Sequence, residues 1–127
     1  MIIISPLRVP VTKTKFFVLN INQYRNLSFF TLNTAKKKYK ELIQDQLLSL
    51  PKLGKIKLTY VVYPKDKRLF DLDNVTSIHA KFFQDALVEC GCIEQDNYLY
   101  IVGSETLFGE IDKFNPRVEV FITEIKE

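Results

Sequence analysis

The sequence predicts a single α/β (α+β) domain, a mixed β-sheet with two main helices packed on it, on three observations. The 127 residues suffice for one domain and no more. Short runs with the period-2 or β-branched character of strands are interrupted by two longer runs of helical spacing. Their order is strand, helix, strand, short strand, helix, strand, strand, which one mixed sheet with helices laid on it accommodates. The composition, 46% apolar and 26% charged, is that of an ordinary folded chain and excludes disorder as the main state.

Thr14 to Asn22 is β-branched and aromatic and reads as the first strand. Gln23 to Thr31 is polar and aromatic without a period and reads as a loop. Asn33 or Thr34 then caps a helix whose apolar stripe is Ala35, Tyr39, Leu42, Ile43, Leu47 and Leu50. It stops near Ser49, because Pro51 disfavours a helical Leu50. Lys55 to Tyr63 alternates, with Ile56, Leu58, Tyr60 and Val62 on one face. Leu69 to Asp73 reads as a short extended segment. Asp73 or Asn74 caps the second helix, whose stripe is Val75, Ile78, Phe82, Ala86 and Cys90, widened by Phe83 and Leu87. Gly91 is placed to end it in the left-handed region. Tyr98 to Gly103 and Arg117 to Glu124 read as the last two strands. At this length the core is lean, and a dimer would cover further apolar surface.

Charge divides the chain. Residues 1–70 carry 14 Lys and Arg against three acids, a net of +11; residues 71–127 carry four against 12, a net of −8. A basic half suits an anionic partner, nucleic acid first, although a solvated lysine surface has the same composition. An acidic half with few counter-charges suggests carboxylates that meet a metal ion. Two cysteines, Cys90 and Cys92, exclude a disulfide-built miniprotein, and a reducing cytosol is the expected compartment. The N-terminal apolar run, Met1 to Ile4, is too short for a signal core or a membrane span.

The chemically informative segment is Asp71-Leu72-Asp73-Asn74. On an extended chain, residues two apart point to the same side, so Asp71 and Asp73 would present two carboxylates where a helix begins. Such a pair repels unless a cation is bound. Mg²⁺, a hard ion held by one or two carboxylates, waters and phosphate oxygens, suits it. A third acid, Asp96, lies beyond the second helix. An N-cap plus a surface acid would give the same pair. An EF-hand is excluded, because Val75 would be a ligand position and the loop glycine is missing. His79, the only histidine, has no partner for a nucleophilic triad, and Cys90 and Cys92 lack the spacing of a zinc site.

Laid out in order, Asp71-Leu72-Asp73-Asn74, Lys81, Asp85-Ala86-Leu87, Gly91 and Asp96 resemble the RusA family of Holliday junction resolvases, small phage and prophage endonucleases. The resemblance spans residues 16–124 and is specific in its C-terminal half. Residues 1–12 lie outside it, as an N-terminal extension. It implies a homodimeric, Mg²⁺-dependent nuclease (Mn²⁺ as substitute) that cuts symmetrically across a four-way DNA junction, in the cytoplasm and not at a membrane. The family's catalytic, metal-binding aspartates fall on Asp71, Asp73 and Asp96, and its catalytic lysine on Lys81. Counted from the aspartates, Ser77 takes the lysine's place, because this chain is about four residues longer there; one helical turn preserves the face. Junctions are recognised by shape, so Lys36, Lys37, Lys38, Lys40 and Arg68 are the expected phosphate contacts. Two other readings stand beside this one: a non-catalytic DNA-binding module in which the aspartates only cap and solvate, and a nuclease of forks or flaps.

Overall fold

A computed structural model describes residues 1–67 and 72–126, and in the last helix the side chains from Asn74 onward. The elements in chain order are β1 (Ile2–Ser5), β2 (Arg8–Pro10), β3 (Phe16–Val18), α1 (Ile21–Asn26), α2 (Phe29–Leu48), β4 (Ile56–Tyr63), α3 (Leu72–Glu89), β5 (Ile101–Phe108) and β6 (Arg117–Glu124). The main sheet runs β1-β6-β4-β5, and β2 and β3 form a separate antiparallel pair. β4 is antiparallel to β6 and parallel to β5, with α3 as the crossover between the two parallel strands. This is the expected mixed sheet with two main helices.

The core forms where the two stripes meet the sheet. Ala35, Tyr39, Ile43 and Leu47 of α2 and Ile78, Phe82, Phe83, Ala86 and Leu87 of α3 are buried. They pack with Ile56, Leu58, Tyr60 and Val62 of β4 and Val118, Val120 and Ile122 of β6. The rings of Phe17 and Phe82 stack 5.6 Å apart, which ties the small pair of strands to α3. Burying each such side chain is worth about 1.5–3 kcal/mol.

Several elements differ from the sequence reading, each for a physical reason. Residues 2–5 are not an appendage: β1 pairs antiparallel with β6, Ile3 opposite Val120 and Ser5 opposite Val118. Its partner is the last strand of the chain, a pairing that no local pattern announces. Gln23–Thr31 is not a loop. Asn20 accepts from the Gln23 N–H and Ser28 from the Thr31 N–H, and these caps start α1 and α2. α1 buries no residue completely, so it carries no stripe to detect. α2 begins at Phe29, five residues before the expected start, and Leu42 lies off the buried face at 53% exposure. β5 begins at Ile101, after Asn97 O accepts from the Tyr100 and Ile101 N–H groups, and it runs on to Phe108.

The end of α3 is as expected. Gly91 has φ +77°, its N–H donates to Val88 O and the Cys92 N–H to Leu87 O, the paired bonds of a Schellman cap. Cys92 is buried, its Sγ donating to Leu47 O at 3.4 Å, and both thiols are free. No helix among the described residues is long and apolar enough to cross a membrane.

Candidate nucleic-acid and metal site

α3 organises the candidate residues. It begins at Leu72, so Asp73 lies in the first helical turn and not on an extended segment. The same-side geometry inferred from an extended Asp71–Asp73 pair therefore does not hold at Asp73. Asp71 and Arg68 lie outside the described residues. Asn74 does not cap α3, as it is already inside it. Its Oδ1 accepts from the Ile21 N–H at 2.9 Å, one of the orphan donors that open α1. The segment Asp71-Leu72-Asp73-Asn74 is thus joined to α1 by its last residue.

Positions 73, 77 and 81 follow at intervals of four and share one helix face. Ser77 is exposed. Lys81 is exposed too, and its Nζ lies 5.5 Å from the centroid of the Tyr24 ring of α1. Lys81 does not offset Asp85: that carboxylate meets Lys36 of α2 at 3.7 Å. Along the axis, Lys81 is about 12 Å from Asp73. A helical side chain leans toward the N-terminus and recovers part of that distance.

Asp96 is placed elsewhere. It is exposed in the connection after α3, between Glu94, whose carboxylate pairs with Lys52 at 3.4 Å, and Asn97, which turns the chain into β5. There the Ile56 N–H donates to Tyr100 O, at the start of β4. Asp73 belongs to the other end of the sheet, where Val75 of the same turn of α3 lines a hollow with Val62 and Pro64 at the finish of β4. Residues 74–89 of α3, about 24 Å of axial rise, lie between them. Carboxylate oxygens are the donors a hard divalent cation takes, but a single copy does not bring Asp73 and Asp96 to one ion. Among the described residues no group of three potential metal ligands converges.

The lysines of α2 divide. Lys36 and Lys40 bridge to α3, Lys36 to Asp85 at 3.7 Å and Lys40 to Glu89 at 3.0 Å. Lys38 pairs with Glu41 at 3.8 Å in its own helix. The hydrogen bond to Glu89 holds the Lys40 pKa above the usual lysine value. All three pairs are solvent-accessible, so water and salt screen them. Lys37 is exposed and has no ion pair among the described residues.

His79 is a core residue. It is fully buried on α3, its Nε2 2.8 Å from Ser5 Oγ, and Ser5 Oγ is 2.6 Å from Tyr39 Oη. Nδ1 has no partner. Burial drives the imidazole pKa down to about 3 and the Tyr39 phenol upward. The trio is closed to solvent, so it links β1, α2 and α3 and cannot meet a substrate.

The sequence reading passed over Arg8, Lys65 and Lys113. They stand on β2, after β4 and before β6, and only the fold brings them to one cleft, whose adjoining hollow reaches Val75 in the first turn of α3. No protein-family model matches the chain, and a search of curated proteins finds no significant match.

Proposed function

We propose that the chain is a Mg²⁺-dependent, structure-selective endodeoxyribonuclease that resolves Holliday junctions or related branched DNA, acting in the cytoplasm as a homodimer. The observation that carries this reading is the first half of α3. Asp73 lies in the first turn, Asn74 holds α1 against it, and Lys81 follows on the same face with no carboxylate partner among the described residues. This supports the reading, since Lys81 is exposed and Asn74 braces the start of α3 against α1.

Asp71, Asp73 and Asp96 would hold the ion, which when bound supplies an acidified water and neutralises charge on the phosphate. Lys81 adds a positive charge that stabilises the anion developing at phosphorus. Lys36, Lys37, Lys38 and Lys40 of α2, with Arg68, hold the DNA backbones without reading bases. Because Asp73 and Asp96 of one copy lie at opposite ends of α3, an ion touching both takes Asp96 from a second copy. Dimerisation is then part of the chemistry and not only of junction symmetry. β5 is an edge strand with Val102, Leu107 and Phe108 exposed, apolar surface that a second copy would cover.

The separation of Asp73 from Asp96 is also what a DNA-binding module without catalysis would tolerate. A labelled four-way junction distinguishes the two. The wild-type chain cuts it in Mg²⁺ and not in EDTA, and Asp73→Asn abolishes cutting while junction binding persists. Full cutting by Asp73→Asn would refute the assignment.

A further inference from the structure

A groove beside α3 holds cations that no ion pair engages among the described residues. Arg8, Lys65 and Lys113 line a cleft of about 450 Å³, walled by Val18, Phe114 and Pro116. That volume is within the range of small-molecule sites, about 300–1,000 Å³. Arg8, Val18 and Lys65 also line an adjoining hollow of about 400 Å³ that runs on to Val62 and Val75. Val75 is the fourth residue of α3, so the groove ends at the helical turn that carries Asp73. One carboxylate, Asp66, is among its lining residues, at that inner end.

The chemistry along the groove is of two kinds. The Arg8 guanidinium lies over the Phe16 ring, 4.4 Å from its centroid, which occupies its face and leaves its edge donors for an anion. At the outer end Phe114 is 94% exposed, with Lys113 Nζ 6.0 Å from its ring. An aromatic ring left in water beside a row of cations is the combination that single-strand binders use: cations follow the phosphates, and the ring stacks on a base of any sequence. By contrast, Lys36, Lys38 and Lys40 of α2 each lie within 3.8 Å of a carboxylate.

We infer that this groove binds one unpaired nucleic-acid strand, its phosphates on Arg8, Lys65 and Lys113 and a base stacked on Phe114. The inference rests on the proposed action on branched DNA and adds to it where the strand leaving the branch point runs. An acidic peptide would be held by the same charges, but stacking on Phe114 would not then separate unpaired strand from duplex.

The test is fluorescence anisotropy in EDTA, so that cleavage plays no part, with a short labelled thymidine strand and a labelled duplex. Three variants join the wild type: Arg8→Gln/Lys65→Gln/Lys113→Gln, Phe114→Ala, and Lys52→Gln/Lys57→Gln/Lys126→Gln, which removes equal charge at the far end of β4. All the altered side chains are exposed, and a thermal melt verifies that each variant folds. For three single-strand phosphates, the log–log salt slope falls by about 2 in the groove variant and by less in the far one. Phe114→Ala weakens strand binding about fivefold or more and leaves duplex binding unchanged. A groove variant no weaker than the far one, or a Phe114→Ala loss equal for strand and duplex, overturns the inference. If such variants still bind and cut junctions normally, the nuclease reading stands and only the groove is wrong. A wild type that binds neither DNA but captures a polyglutamate peptide overturns both.

Discussion

Acidification should destabilise the folded chain through one residue, His79. The imidazole is fully buried, with Ser5 Oγ its one hydrogen-bond partner among the described residues, and its pKa is pushed down to about 3 in the folded state. In the unfolded chain it titrates near the ordinary 6.5. Above that pH both states are neutral and His79 contributes nothing to the pH dependence. As pH falls below it, the unfolded state takes up a proton that the folded state refuses until about pH 3, so stability is lost progressively across that window. Each pH unit is worth about 1.4 kcal/mol, so pH 5 costs about 2 kcal/mol relative to pH 7.5. His79 is the only histidine, and no other side chain has an ordinary pKa inside the upper part of the window. Urea unfolding of wild type and His79→Leu at pH 7.5, 6 and 5 reads the effect. The variant keeps the Ser5–Tyr39 bond and loses the titrating group. The difference in unfolding free energy between the two proteins should shift by about 2 kcal/mol over this range, against wild type on acidification. Parallel pH profiles would show that His79 protonates freely in the fold and would refute the closed polar trio.

Three further outcomes follow from particular residues. Lys81→Ala should slow junction cutting about a hundredfold or more with binding retained, because its charge has no substitute on that helix face; a wild-type cutting rate would return the lysine's task to Ser77 or to none. Gly91→Ala should cost about 1–2 kcal/mol in thermal or urea unfolding, since φ is +77° and nothing within 4 Å would otherwise resist a Cβ; an unchanged midpoint would contradict the left-handed cap. Light scattering should give about twice the 14.9 kDa chain mass; a monomer mass with junction cutting intact would refute the dimer.

Where packing repeats locally, the fold was legible in the sequence. β4 and β6 alternate cleanly because one face of each is buried, and α3 ends at the glycine that its stripe pointed to. What escaped was either unburied or non-local. α1 has no fully buried residue, β5 is an exposed edge without alternation, and β1 gains its meaning only from β6 at the far end of the chain. The candidate site divides in the same way. Asp73 and Lys81 stand on one helix, eight residues apart, and so were visible, but the distance from Asp73 to Asp96 is set by the length of α3 and the crossover it makes. The cations of the groove come from three separate segments, and spacing in sequence carries no trace of their neighbourhood.

The central claim, a metal site shared between two copies, is tested most directly by complementation. Asp73→Asn and Asp96→Asn chains are made separately, and also co-expressed with different tags so that mixed dimers can be isolated. In a mixed dimer with shared sites, both substitutions fall in one site and the other is intact. Each variant alone should therefore leave the junction uncut in Mg²⁺, and the mixed dimer should cut it. A mixed dimer as inactive as either parent, beside an active wild type, would contradict the shared site.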